Sequence, residues 1–300
     1  MLSYTGSRNL FGKLVQDSEA SALATADELI EIQNRRLIGK RNWSFLEKPK
    51  TITLAALTQF YQLAVNIKKV RSCYVTVGTR RYEPTECPTR ELWDRLNQSV
   101  ITSDTPEYFF IFDGQIGLWP TPISNGNVLT VIATLRHKKL SIADYTTGGI
   151  LTATSGSPSI VGTATSWGLS MAGRTLDITE DDAVNKGDGM QYEIASAPSA
   201  TTITLVKNYA GTSIAAGNAA YTIGQCSIIP EEYRDVPVLG AVVLYYKTIK
   251  PETDLASAFK DEYTERYGEM VNDYGNKTTS PVIDDGGVDE ILNPNLTIQI

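Results

Sequence analysis

Among side chains able to act as acid, base, nucleophile or metal ligand, the sole histidine comes first. His137 sits between Arg136 and Lys138. General acid–base work near neutral pH asks for an imidazole held by a carboxylate, with a nucleophile within hydrogen-bond reach. No Gly-x-Ser-x-Gly turn and no carboxylate pattern around His137 supplies that set, so it reads as an exposed or docking residue. Residues 268–279 contain glycine, lysine and threonine, but not in the Gly-x-x-x-x-Gly-Lys-Ser/Thr order that cradles phosphate. Two acidic runs carry oxygen donors of the kind calcium takes: Glu180-Asp181-Asp182 with Asp188, and Asp284-Asp285 with Asp289-Glu290. Neither follows the ligand order of an EF-hand loop, and solvated acidic loops are expected. Cys73, Cys87 and Cys226 are scattered and odd in number. They predict half-buried or buried thiols, not a disulfide framework or a zinc site. No catalytic residue, cofactor or metal is expected.

Tyrosine is the abundant functional side chain, with 15 copies. Tyr245, Tyr246, Tyr263 and Tyr267 fall on predicted helices. Two readings stay open for them: packing in the core, or contact with a neighbouring subunit, where tyrosine is enriched. The formal net charge is −7 and the isoelectric point about 4.9. A chain that grips nucleic acid by neutralising phosphates is normally basic on at least one face. The short basic group Arg35, Arg36, Lys40 and Arg41 lies at a predicted helix end, where the helix dipole favours cations. Acidity therefore argues against tight DNA binding, and is compatible with a surface past which DNA slides. No apolar run approaches the roughly 20 residues of a membrane helix. Residues 1–11 lack the apolar segment of a signal peptide, which predicts a cytoplasm-like compartment.

The elements that must position these residues alternate in type. Residues 18–38 predict a helix with Ala22, Ala26, Leu29, Ile30, Gln33 and Leu37 on one face and Gly39 as its stop. Strands are expected at 50–54, 70–77 and 128–135, and a helix at 89–96 with Thr89 as N-cap. Two apolar runs around Asp113-Gly114 predict a hairpin, ended by Pro120 and Pro122. From about Tyr145 to Gln225 the chain turns rich in Gly, Ser, Thr and Ala, with short strands between turn residues. Buried candidates such as Trp167, Leu176, Ile194 and Ile223 alternate there, which predicts a small barrel or sandwich and not a flexible linker. Helix returns at Pro230-Glu231-Glu232, with Pro237 either kinking it or splitting off a first turn, and again at Pro251. Leu255, Phe259, Tyr263, Tyr267 and Met270 form the stripe of the last helix. Residues 276–300 lack helical period and end in an alternating apolar piece.

The expected fold class is α+β: a helical-bundle core with a small antiparallel β element, plus an inserted all-β barrel or sandwich domain. The expected domains are 1–144 with 226–275 as a discontinuous core, 145–225 as the insert, and 276–300 as an extended docking tail. Leu292, Leu296, Ile298 and Ile300 are the tail's candidate docking residues, since apolar side chains on an extended terminus suit addition to a partner's sheet edge.

Several segments in order carry a family resemblance: KTITLAA from Lys50, VRSCYVTVGTRRYEPTE from Val70, TPEYFFIFDGQIGLWPTP from Thr105 and NVLTVIATLRHKKLS from Asn127. IPEEYRDVPVLGAVVLYYKTI from Ile229 and AFKDEYTERYGEMVNDYG from Ala258 continue it. Their order over about two-thirds of the chain resembles the head-to-tail adaptor (connector) proteins of tailed bacteriophages. The simplest adaptors lack an insert like the one here, which resembles small β modules of phage structural proteins. The resemblance implies a non-enzymatic virion protein at the neck, made in the host cytoplasm. It implies a homo-oligomeric ring of about twelve copies under the portal protein, closed by a heterologous contact. A downstream tail or nozzle protein docks on such a ring, and DNA passes through its channel without specific binding during genome ejection. Two competitors remain: another tail or baseplate structural protein, and a carbohydrate-binding or hydrolytic virion protein acting through the insert, hinted at by Trp167 and the acidic loop.

Overall fold

The computed structural model describes residues 1–16, 20–146, 148–179 and 187–275. Helices α1 (Tyr4–Val15) and α2 (Ala20–Lys40) open the chain, a short α3 (Arg90–Leu96) lies in its middle, and α4 (Val236–Thr248) and α5 (Thr253–Tyr274) follow the last strand. α1 was not expected, although Leu10, Phe11, Leu14 and Val15 recur at helical spacing and pack in the helical core. Its start is set by Ser3, whose hydroxyl accepts from the Gly6 amide, a standard N-cap arrangement. α2 runs one residue past the expected Gly39 stop. α4 is apolar on nearly every side, so it is the helix that must be surrounded. α1, α2 and α5 all pack on it. The 3-10 turn Glu231–Tyr233 precedes α4, and Pro237 occupies its first turn, so the proline splits the segment, one of the two expected outcomes.

The strands between α2 and Tyr145 form two sheets. One has the order β1-β8-β3-β4, from β1 (Glu47–Thr53), β3 (Ile67–Val77), β4 (Arg80–Tyr82) and β8 (Val128–Leu135), all antiparallel. The other has the order β2-β7-β6-β5, from β2 (Phe60–Gln62), β5 (Thr85–Glu86), β6 (Tyr108–Phe112) and β7 (Gln115–Trp119). The β6–β7 hairpin turns at Asp113 and Gly114, both at positive φ, which two-residue hairpin turns require. Alternate residues Leu129, Val131 and Ala133 of β8 face Ile116, Leu118 and Phe109 of the second sheet in one shared core. The β share of this part is thus larger than a small element beside a helical bundle. The α+β class stands, with the helices and the two sheets each holding a core of their own.

A third sheet takes the order β14-β9-β10-β13-β12-β11-β15. Its strands are β9 (Ile150–Ala153), β10 (Ser159–Thr163), β11 (Thr175–Ile178), β12 (Gln191–Ser199), β13 (Thr202–Leu205), β14 (Ile214–Ala219) and β15 (Tyr221–Gly224). β14 and β15 are separated by Ala220 alone, yet lie at opposite edges of this sheet. Only a sheet curled most of the way round brings its two edges that close. Its concave side holds a separate core that includes Trp167, Leu176, Ile194, Ile203 and Tyr209. β14 has no clear alternation and was not legible as a strand.

The helical end is pinned by Trp43. It is fully buried, its indole N–H donates to the Leu37 carbonyl at 2.8 Å, and it meets Tyr267 edge-on at 6.1 Å. Trp43 also pairs with Gly275, closing the end of α5 onto the start of the sheets. Replacing Trp43 by Ala is expected to cost about 3–5 kcal/mol through the cavity left behind. Chemical denaturation with helical and near-ultraviolet circular dichroism checks it.

Candidate assembly surfaces

The four tyrosines divide by depth. Tyr245 and Tyr246 are 7% and 4% exposed, locked among Phe11, Phe259 and the rest of the helical core. This corrects the idea that they present rings to a neighbour: α4 is enclosed, so its tyrosines are spent inside the subunit. Tyr263 and Tyr267 are half-buried and stacked on one another at 6.1 Å, with the Lys40 ammonium 4.4 Å from the Tyr267 ring centre. Both tyrosines stay partly exposed. Leu255, assigned to the buried stripe of α5, is 40% exposed, and Ala256 takes the inner place. Leu292, Leu296, Ile298 and Ile300 lie outside the described residues, as do both acidic runs apart from Asp188. Asp188 is engaged locally, accepting from the Tyr192 hydroxyl and the Met190 amide.

The side chain of His137 is not exposed: it is 6% accessible, and Nε2 lies 2.8 Å from Oε2 of Glu31 on α2. Glu31 also accepts from Arg35 at 2.7 Å. The imidazole therefore fastens the segment after β8 onto α2. Cys73 and Cys87 are buried, Cys226 is half-buried and all three are free. Burial pushes the Cys73 thiol up to about 12, far from the thiolate a nucleophile needs. Trp167 is 4% exposed and donates to the Tyr221 hydroxyl at 3.0 Å. It is a core residue of the curled sheet, so the ring hinted at as a sugar platform is not on the surface.

Sequence reasoning expects Tyr145 and Gln225 to lie close together; what it missed are the hydrogen bonds of the seam where the chain leaves and re-enters the helical and two-sheet part. Tyr145 and Ile223 exchange both backbone hydrogen bonds, at 2.8 and 3.0 Å. Beside them Gln225, 3% exposed, accepts through Oε1 from the amides of Ser141 and Ile142 at 2.7 and 2.9 Å. Its Nε2 donates to the Lys139 carbonyl at 3.1 Å. The N-terminal turn completes the seam: the Tyr4 amide donates to the Gln225 carbonyl at 2.8 Å, and the Ser3 hydroxyl to Asp144 at 2.6 Å. Partners 141 residues apart leave no local signal.

A second surface lies on the far face of the β2-β7-β6-β5 sheet. Trp93 of α3 stacks on Phe110 at 5.4 Å and meets Phe60 edge-on at 6.0 Å. Gly117 permits this, since a Cβ there would stand 2.8 Å from both Phe60 and Trp93. Alongside runs an open groove of about 450 Å³, lined in part by Leu57, Val100, Ile101 and Trp119. Leu57 is 73% and Val100 93% exposed. Apolar side chains gathered this way mark a contact surface better than isolated ones do. No helix among the described residues is long and apolar enough to cross a membrane.

A family model described as SU10 adaptor protein matches residues 12–284. No curated protein matches the chain.

Replacing Gln225 by Ala removes the partner of two part-buried amides and a carbonyl at the seam. At a net worth of about 0.5–1.5 kcal/mol for each hydrogen bond, a loss of about 2–4 kcal/mol is expected. Hydrogen exchange should show the Ser141 and Ile142 amides losing protection before the rest of the fold.

Proposed function

This chain belongs to the SU10 adaptor protein family, and from that premise we propose that it forms the head-to-tail connector ring of a tailed-phage virion. Family membership makes it a structural adaptor of a phage particle. In our reading about twelve copies sit beneath the portal, matching its symmetry through a repeated head-to-tail contact. The ring extends the DNA channel and offers a platform to the tail or nozzle protein. The observation that carries the reading is the family match across residues 12–284.

Residues 1–144 and 226–275 serve as the adaptor core in this proposal, and 145–225 as an inserted module carried at the surface. The pairing of Tyr145 with Ile223 supports that division, because a module spliced into a loop enters and leaves at one place. Residues 276–300 act as a docking tail, with Leu292, Leu296, Ile298 and Ile300 adding to a sheet edge of the portal or of a neighbouring copy. Tyr263 and Tyr267, which stay partly exposed, are the ones of the four left to meet a neighbour.

Mass measurement of the purified chain, alone and mixed with isolated portal rings, tests the central reading. The free chain should be mainly monomeric and should assemble to the portal's symmetry when the portal is present. If no oligomer of that symmetry forms, the connector reading fails. Deleting residues 288–300 should weaken attachment to portal rings at least about tenfold, in line with the loss of a few kcal/mol of contact, and leave the melting temperature nearly unchanged. Unaltered attachment would remove the tail from the docking role.

A further inference from the structure

We propose that adjacent copies meet by charge: the basic end of the β1-β8-β3 sheet in one subunit docks on the outer face of α5 in the next. This inference rests on the ring reading above and adds the surfaces that close the ring.

The basic end is built by sheet register. Antiparallel pairing sets Lys48 of β1 beside Ala133, and Lys69 of β3 beside Thr134, at the close of β8. β3 is bulged twice there. The register skips from Ile67/Leu135 to Lys69/Thr134 and from Val70/Ala133 to Ser72/Ile132. The two inserted residues are Lys68 and Arg71, so each bulge adds a cation; bulges commonly re-aim a side chain in this way. β8 then continues into Arg136, Lys138 and Lys139, all exposed. Some of these charges are already employed. Lys48 sits on an edge strand, where lysine guards against stray pairing; Arg71 pairs with Glu47, and the Arg136 guanidinium donates to the Ile67 carbonyl at 3.0 Å. Lys68 and Lys69 have no partner among the described residues and, with Lys48 and Arg71, concentrate positive charge at this end of the sheet on a chain whose formal net charge is −7, while Lys138 reaches toward Gly173 of the curled sheet.

α5 supplies the complement. It packs against α4 along one side, with Ala256 and Met270 buried and Tyr263 and Tyr267 half-buried beside them. The opposite side exposes Asp254, Asp261, Glu262 and Glu265, none paired among the described residues. Asp261 and Glu265 are like charges four residues apart, an arrangement that weakens a helix standing alone. Within one subunit the two surfaces do not meet. The end of α5 nearest β1 is Gly275, paired with Trp43. Asp261 lies roughly 20 Å along the helix axis from there, at 1.5 Å per residue. Complementary charges that do not meet within a subunit are what a heterologous, ring-closing contact uses for register and orientation.

Sedimentation equilibrium of the full chain, at concentrations that read dissociation constants as weak as about 1 mM, tests this in about 0.1 M and about 1 M sodium chloride. Self-association should appear at the lower salt and fade at the higher, as the screening length drops from about 10 to about 3 Å. The double variant Lys68→Glu, Lys69→Glu should weaken it at least about tenfold, and so should Asp261→Lys, Glu265→Lys, since each puts like charges opposite one another. All four residues are exposed and unpaired, so folding should survive. Mixing the two double variants restores opposite charges at both kinds of contact and should recover association. The proposal is overturned if neither reversal matters, if the mixture does not recover, or if the unaltered chain does not associate at all. It is equally overturned if the lysine reversals abolish retention on double-stranded DNA and leave self-association intact. Should both double variants still form portal-templated rings like the unaltered chain, the ring reading stands and the charge contact falls.

Discussion

A buried amide side chain must find its hydrogen bonds inside the protein, and at Gln225 that requirement ties together three separate stretches of chain. The side chain serves Lys139, Ser141 and Ile142, while its backbone carbonyl receives the Tyr4 amide. The segment entering the curled sheet, the segment leaving it and the start of α1 are thereby held at one seam. Asp144 adds a second tie, accepting from Ser3 and donating its own amide to Thr5. His137 anchors the same passage to α2 through Glu31. With the seam set, α1 is started by Ser3 in a fixed place, and the helices can close round α4.

The apolar groups follow the same division. The curled sheet holds its own core, joined at the margin by Tyr145. The paired sheets and the helices hold theirs, with Ile228 packed against both. A subunit so arranged exposes β surfaces and the outer sides of the helices that pack on α4. In the ring proposed above these are the surfaces available to neighbouring copies. Burial holds the Cys73 thiol protonated, and the sole imidazole is paired with Glu31.

Much of the secondary structure was legible because its signals are local. The Asp113-Gly114 turn, the Thr89 cap, the proline at the start of α4 and the strands at 128–135, 159–163 and 175–178 are each written within a few residues. β14 was not legible, since Ile214–Ala219 is mostly small residues without alternation and pairs with a strand distant in sequence; α1 was missed although Leu10, Phe11, Leu14 and Val15 recur at helical spacing. The tyrosines show the same limit from another side. Helical spacing places Tyr245 and Tyr263 equally well on a surface, and only the enclosure of α4 decides that the first is core and the second partly open.

By itself, then, the sequence determined the elements, the α+β class and the ordered segments that resemble phage adaptors, because periodicity, capping and turn chemistry act over short spans of chain. Tertiary structure alone decided that Gln225, Asp144 and Ser3 meet, that Trp167 lies inside, and that Lys48, Lys68, Lys69 and Arg71 gather at one end of a sheet. Those outcomes depend on antiparallel register, on two bulges and on burial. Each is a relation between residues far apart in the chain, and no local pattern of residue types carries it.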